Sequence, residues 1–496
     1  MSRLEDKIRG GWAGQMIGVS FGAPTEFQYL GRIIPEDSLP TWQPDMVKDA
    51  LDQDDLYVDM TLASVLDDKG LDATTDDFGA MFRNAKYHLW HANLAARRAL
   101  KRGIPATLSG TPSYNAHAND IDFQIEADFV GLMSPGLPQS ATNICLRAGR
   151  VMNSGDGVLG GVFVSGMYAA AFFEHDTRRI VEAGLASLPP GSPYARIISD
   201  VLEWSRQFPD DWMHVWQMVN EKWDRREPCP AGALHPFNID AKLNGAYVAL
   251  GLLYGAGDFR KTITIATRAG QDSDCNPASA AGVLGVVLGF EAIPDEYKRG
   301  IAQIADEKFS YTSYTFNTIV ASTLRRAVAL ARRHGARVDG DSLRINIEPP
   351  KPAEVRTWDD YGSPTERVSI ADRRWTFRGA WHASPRNGTP VEQRSDSAGA
   401  EASISFQGTG VIVGGTYLKA GGTADVYLDD KLQRTVDVYS DEDADKTDED
   451  VWHAFGLAPG THRVKVVVRG ERYRAKDGTS SRGSEVSLRH LLVFRP

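Results

Sequence analysis

Apolar residues recur at helical spacing through the first two-thirds of the chain and at strand spacing through the last third. From Arg3 to Val19, Asp77 to Leu100, Ile197 to Phe208 and Trp212 to Trp223, the pattern predicts amphipathic helices. The stretches Gly160 to Phe173 and Ala278 to Phe290 are almost entirely small and apolar, which predicts helices buried on most sides. A last helix, Phe316 to His334, closes on Arg332, Arg333 and His334 before Gly335, where dipole and capping geometry favour cations and glycine. The run Glu348-Pro349-Pro350-Lys351-Pro352 then stops both helix and sheet.

Beyond it, short β-rich runs alternate with turn residues: Ala402 to Phe406, Val411 to Val413, Ala424 to Leu428, Arg434 to Val438, His462 to Val468 and Val486 to Phe494. Asp429-Asp430 and Pro459-Gly460 are expected as tight turns. The organisation predicted is multidomain: an all-α domain over residues 1–345, a proline-containing linker over 346–366, and an antiparallel, jelly-roll-like β-sandwich over 367–496. Ser440 to Asp450 carries seven acidic residues in eleven and reads as a solvated loop rather than a strand. A Ca²⁺ site there is the alternative.

Composition narrows the class. A chain of 496 residues exceeds one ordinary core, in keeping with two domains. A net charge of −10 argues against a general nucleic-acid binder. No apolar run is long enough to span a bilayer, and Met1 to Lys7 is charged, without the core of a signal peptide. Cys145, Cys229 and Cys275 are odd in number and widely spaced, so no disulfide framework is expected. These features predict a reduced, cytoplasmic protein, or a secreted or periplasmic one if a leader is missing from this sequence.

Three clusters carry candidate chemistry. GGWAGQMIGVSFGAPTEF, Gly10 to Phe27, is a glycine-rich helix leading into a loop with Glu26. LDQDDLYVDM, Leu51 to Met60, holds the adjacent pair Asp54 and Asp55. AGQDSDCNPASAAGVLG, Ala269 to Gly285, places Asp272 and Asp274 before Asn276 and an apolar helix. Hard divalent cations take several oxygen ligands, and two short acidic loops facing each other supply four carboxylates. Each signal also has a structural reading: the aspartates as helix caps or solvated turns, the glycines as a close-packing surface.

Together, in this order on a helical chain, the clusters resemble the ADP-ribosylglycohydrolase family over roughly residues 4–335. The resemblance implies a compact all-α fold with a binuclear Mg²⁺ (or Mn²⁺) centre at the bottom of a cleft. It also implies hydrolysis of α-glycosidic bonds at the anomeric carbon of a ribose. By the same resemblance, Asp54 and Asp55 match the paired metal ligands, Asp272 and Asp274 match the Asp-x-Asp ligands, and Glu26 lies near the scissile bond. Asn276 matches an Asn that follows the metal loop. Catalysis is expected of Glu26, Asp55 and Asp272.

The chain departs from the family pattern at four places. Gln53 and Leu56 stand where many members have Thr, and Val19 where the opening motif carries Asp. Cys275 occupies the position of a Thr or Ser metal ligand and is counted with the metal group, although sulfur suits a hard ion poorly.

A further acidic segment, Asn119 to Asn143, carries Asp120, Asp122, Glu126 and Asp128. A helix there would set Asp122 and Glu126 one turn apart, unfavourable unless a cation or a ligand lies between them. Asp122, Glu126 and Asp128, with Asn153 and Asp156 of a second polar loop, are the expected substrate-binding residues. Trp42, Trp90, His91 and Tyr114 are candidates for stacking or for core packing.

The predicted reaction is metal-assisted hydrolysis of an ADP-ribosyl or related ribosyl group. The sandwich, whose runs look like carbohydrate-binding modules, makes a non-ADP-ribose glycoside the alternative. A non-catalytic binder with a decayed metal site is another, and a homo-oligomer contact is a further role open to the sandwich.

Overall fold

The computed structural model describes residues 1–224, 231–357, 362–386, 389–475 and 478–496. Cys229 and part of the expected linker lie outside the described residues.

Close packing of two helices organises the first region. Gly10, Gly14, Gly18 and Gly22 form one stripe of the helix Ser2–Gly22. A Cβ at these positions would come within 2.2, 2.0, 2.2 and 2.0 Å of the carbonyl oxygens of Gly285, Ala281, Pro277 and Ser273. The helix therefore lies backbone to backbone against Cys275–Leu288, and only glycine permits that approach. Around this pair pack Asp156–Ala171 and Ala241–Gly255, both buried on nearly all faces. Phe316–Arg333 covers one flank, with Trp12 Nε1 donating to Thr323 Oγ1 at 3.1 Å.

The expected helix over Asp77 to Leu100 is two helices, Thr75–Asn84 and His91–Lys101. The interruption lies at Ala85 to Trp90, and His91 enters the second helix with φ +42°. A helical period continued across a break because apolar side chains on either side of it face the same core. Asp122 to Phe129 likewise breaks into two short turns, Asp122–Ile125 and Asp128–Leu132.

After Arg333 the chain forms a small hairpin, Arg337–Asp339 with Ser342–Arg344. The proline-rich segment then runs along the helices. Glu348 N–H donates to Gly136 O at 2.9 Å, and Ala353 N–H to Ser187 O at 2.8 Å.

The remaining strands pair antiparallel in three sheets. One sheet orders Lys431–Asp437, Gly422–Leu428, Gly460–Arg472, Glu401–Gly408 and Thr376–Arg378. A second orders Lys446–Ala454, Gly410–Tyr417, His490–Arg495 and Ser363–Ser369. The third joins Val486–Leu488, Thr389–Ser395 and His382–Arg386. Asp429 and Asp430, at φ +50° and +61°, make the expected two-residue hairpin turn. The chain is thus a helical region followed by an antiparallel β-sandwich region.

The expectation of a solvated acidic loop at Ser440 to Asp450 holds for Asp443 to Asp445, which are exposed outside any strand, and fails on either side of them. Lys446–Ala454 is a strand, and Asp441 and Glu442 are largely buried against the helical region. Their charges meet arginine and lysine there, which is why so acidic a segment tolerates burial.

Candidate active site

Two of the three predicted clusters are joined through backbone. Phe27 N–H donates to Gln271 O at 3.3 Å and Gln271 N–H to Tyr29 O at 3.4 Å, so the loop carrying Glu26 is paired with the loop carrying Asp272. The third cluster begins the helix Asp54–Lys69, whose first turn points Asp55 at the same place. Carboxylate oxygens of Glu26, Asp272 and Asp274 lie within 4.8 Å of one another. The same holds for ligand atoms of Asp55, Asp274 and Cys275. The structure brings together Glu26, Asp55, Asp272, Asp274 and Cys275 as expected from the sequence, and Asp54 stands beside Asp55, its Oδ1 accepting the Asp55 N–H at 3.2 Å.

The aspartates are not helix caps. Asp274 precedes the helix Cys275–Leu288 but makes no side-chain cap bond. Oδ1 of Asp55, Asp272 and Asp274 are buried without a hydrogen-bond partner. Burial and the mutual proximity of Asp55, Asp272 and Asp274 push all three well above the usual carboxylate range. Glu26 is pushed up to about 8 by burial, then by Asp274 and Asp54.

Cys275 enters as a thiol. Its Sγ donates to Asp55 Oδ2 at 3.2 Å, and burial among the aspartates raises it well above an ordinary cysteine. A protonated sulfur is a poor partner for a hard ion.

Glu26, Asp54, Asp272 and Cys275 open onto a cleft of about 310 Å³, whose walls include Phe27, Tyr57, Trp90, His91, Asn93 and Ile239. Charged residues on it are Glu26, Asp52, Asp54, Asp122 and Asp272, and no lysine or arginine stands among its described lining residues. Trp90 is 48% exposed, and His91 stacks on Phe237 at 5.7 Å. Beside the cleft, His117 Nδ1 is 2.7 Å from Asp120 Oδ2. Burial lowers the His117 imidazole, but Asp120 outweighs it and raises it to about 9. His91 is lowered to about 3 by burial and by His117, and so is neutral.

The expected substrate-binding group divides. Asp122 reaches the cleft, where its carboxylate also accepts the N–H groups of Ala92 and Asn93 at 3.3 and 2.8 Å. It therefore closes the open end of the helix His91–Lys101. Glu126 is fully buried and bonded to the Asn93 side chain, so a neutral amide, not a cation, lies between the two acids. Burial raises Asp122 to about 7, and burial followed by the Asp122 charge raises Glu126 well above its usual range. Asp128 accepts from the Tyr168 hydroxyl in the core behind the cluster, and its Oδ2 is without a partner.

Asn153 and Asp156 are not among the cleft-lining residues. The Asn153 amide holds Ala118 O, Asp120 O and Phe123 N–H at 3.1, 2.8 and 3.0 Å, which makes it a loop latch. Asp156 pairs with buried Lys242 at 3.4 Å. Of the stacking candidates, Trp90 and His91 face the cleft, whereas Trp42 packs on Tyr297 and Tyr114 lies under Arg434.

A further acid, outside the expected site residues, lies behind the cluster. Asp59 is fully buried one turn beyond Asp55, accepts the Phe129 N–H at 3.1 Å, and leaves Oδ2 without a partner. Its signal was an acid between Val58 and Met60 in an apolar run, four residues after Asp55.

Several known proteins resemble the chain. The "A type blood alpha-D-galactosamine galactosaminidase" of Flavonifractor plautii is 32% identical over 104 residues, 21% of this chain. The match spans only 9% of that curated relative's length. An "ADP-ribosylglycohydrolase-related protein complex" aligns at 18% identity and TM-score 0.40, over 66% of this chain and 100% of its own. A carbohydrate-binding module solved with calcium and xylotriose aligns at 10% identity and TM-score 0.17, over 26% of this chain and 98% of its own. Residues 1–336 match the family model described as ADP-ribosylglycohydrolase, and the chain belongs to that family.

Proposed function

We propose that the chain is a metal-dependent glycoside hydrolase acting on a neutral carbohydrate glycoside in preference to an ADP-ribosyl group. The observation that carries the metal is the set of buried, partnerless carboxylate oxygens on Asp55, Asp272 and Asp274. Like charges gathered in a dry site are costly unless a cation relieves them. Asp54, Asp55, Asp272 and Asp274 would hold the ion, with Mg²⁺ or Mn²⁺ suited to an all-oxygen donor set. Such an ion, when bound, supplies polarisation of sugar or water oxygens at neutral pH.

The chain's own residues do the rest. Glu26 stands at the mouth of the cluster and is our choice to donate a proton to the departing glycosidic oxygen or to take one from the attacking water. The fixed carboxylates around it favour positive charge developing at the anomeric carbon. Tyr57, Trp90 and Phe27 offer apolar faces for a sugar ring and exclude water from it.

Two features support a neutral substrate. The described cleft walls carry five carboxylates and no lysine or arginine to receive a diphosphate. The volume, about 310 Å³, is at the small end for a ligand site and suits a single sugar unit. The local likeness to a galactosaminidase points the same way. Family membership favours the second reading, an ADP-ribosyl substrate. The sandwich would then serve either reading as an accessory, with glycan binding the expectation its runs raise.

The test treats the full chain with EDTA and then with Mg²⁺ or Mn²⁺, against paired panels of α-ADP-ribosyl substrates and aryl or oligosaccharide glycosides. Metal-dependent cleavage of sugar glycosides is the expected outcome. Cleavage of ADP-ribosyl substrates alone transfers the assignment to the second reading. Stabilisation by a sugar with no turnover of either panel would reduce the protein to a binder.

A further inference from the structure

The stretch of the sandwich from Asp437 to Lys446 takes no part in the chemistry above, yet it grips the helical region at two places. The first is the far half of the helix His91–Lys101. Asp437 pairs with Arg98 at 2.7 Å and with Arg102, and Asp441 pairs with Arg97 at 3.0 Å and Lys101 at 2.6 Å. The Arg98 guanidinium also lies 3.5 Å over the Tyr417 ring.

The second grip is at the cleft rim. Glu442 accepts the Leu89 N–H at 2.9 Å and pairs with Arg97 at 2.8 Å and His88 at 3.1 Å. Lys446, itself 2.9 Å from Glu442, donates to Leu89 O and lies 4.9 Å over the Trp90 ring. Both polar groups of Leu89 are thus held by the sandwich. The next two residues are Trp90 and His91, which line the cleft, and His91 has φ +42°. A non-glycine residue persists in that conformation only where its surroundings over-determine it.

Tethering alone would need only the first grip. The second holds backbone at the point where the chain turns into the cleft wall. We propose that the sandwich is a fixed buttress behind that wall, with Glu442 and Lys446 as positioning residues that set Trp90 and His91 against the substrate. The positioning itself is independent of the glycosidase reading; its kinetic consequence rests on that reading.

Hydrogen exchange on the full chain tests it, with Glu442→Ala, Glu442→Gln and Lys446→Ala. In Glu442→Ala the Leu89 amide should exchange about tenfold faster or more, as expected for loss of a charge-assisted bond. The loop at Asp272 and the strand Glu401–Gly408 should keep their protection. Glu442→Gln, whose amide oxygen still accepts a hydrogen bond, should fall between wild type and alanine.

On whichever glycoside is turned over, Glu442→Ala and Lys446→Ala should raise KM by about tenfold with kcat within about twofold, the signature of lost positioning for binding. Unchanged exchange at Leu89 would overturn the proposal. So would uniform loss of protection in Lys446→Ala, which would make the segment a folding element. If neither panel is turned over, the exchange result alone decides, and only the glycosidase reading has failed.

Discussion

Two buried groups of carboxylates differ in their company: one lies at the cleft, the other where the sandwich meets the helix His91–Lys101. At the cleft, Asp55, Asp272 and Asp274 face one another and are pushed up by burial and like charge. At the interface, burial also works against the charged forms of Asp437 and Asp441, but Arg102, Arg98 and Arg97 outweigh it and hold both below the usual range. Burial is common to both sites, so it does not distinguish them. The difference is whether guanidinium groups come with the acids. An acidic site without cations is one built to receive something, whereas one with cations is complete in itself.

The largest effect should come from removing a cleft acid. Asp272→Ala is expected to lower turnover by about a thousandfold or more, on the scale of losing a principal electrostatic group. Glu26→Gln should lose activity comparably if it handles the proton. Near-UV circular dichroism should stay native in both. Wild-type rates in either variant would leave the cleft acids without a catalytic role.

The same substitution type at the other site should act on stability instead. Asp437→Asn leaves buried Arg98 and half-buried Arg102 without the carboxylate they share, and should cost about 3 kcal/mol. Asp274→Asn in metal-free protein removes a carboxyl that folding must either protonate or set against like charges, and should be neutral or stabilising. Urea midpoints at constant m-value read both. Equal losses in the two variants would erase the distinction between the sites.

That distinction was half legible in the sequence. The Asp-Asp pair, the Asp-x-Asp before an apolar helix and the glycine spacing were local patterns, and local patterns survive folding. Asp429-Asp430 was a turn for the same reason. The interface was not legible, because the arginines that complete Asp437 and Asp441 lie more than 300 positions away, on what looked like an ordinary solvated helix face. The break at Ala85 to Trp90 was hidden too, since apolar spacing continues across it and Glu442, which holds it open, comes from the sandwich. Asn153 looked like a cleft residue because polarity near glycine reads the same whether the amide meets a ligand or the chain's own backbone.

Metal removal sharpens the comparison at smaller scale. Mg²⁺ or Mn²⁺ at about a hundred times its dissociation constant should stabilise the protein by about 2.7 kcal/mol relative to EDTA. Asp274→Asn should lose most of that gain, and Asp437→Asn should keep it. A metal effect undiminished in Asp274→Asn would place the ion elsewhere.

The smallest effect, and the most diagnostic of sign, is in pH. Glu26, raised to about 8, and Asp122 and Asp128, each raised to about 7, bind protons more tightly folded than unfolded. Their stabilising contribution is complete below about pH 4 and is lost as pH rises through about 7–8. Asp441, lowered to about 2, behaves oppositely: its contribution is present above about pH 4 and is lost as pH falls towards 2. Metal-free protein should therefore melt a few degrees lower at pH 8 than at pH 5, because the cleft acids must ionise while the interface is unchanged. Bound metal should flatten that limb, since an ion favours the charged carboxylates. Below pH 4 the order reverses, and Asp441→Asn should remove much of the acid sensitivity. A metal-free melting temperature that rises from pH 5 to pH 8 would mean that the cleft acids are already neutralised by groups of the protein itself.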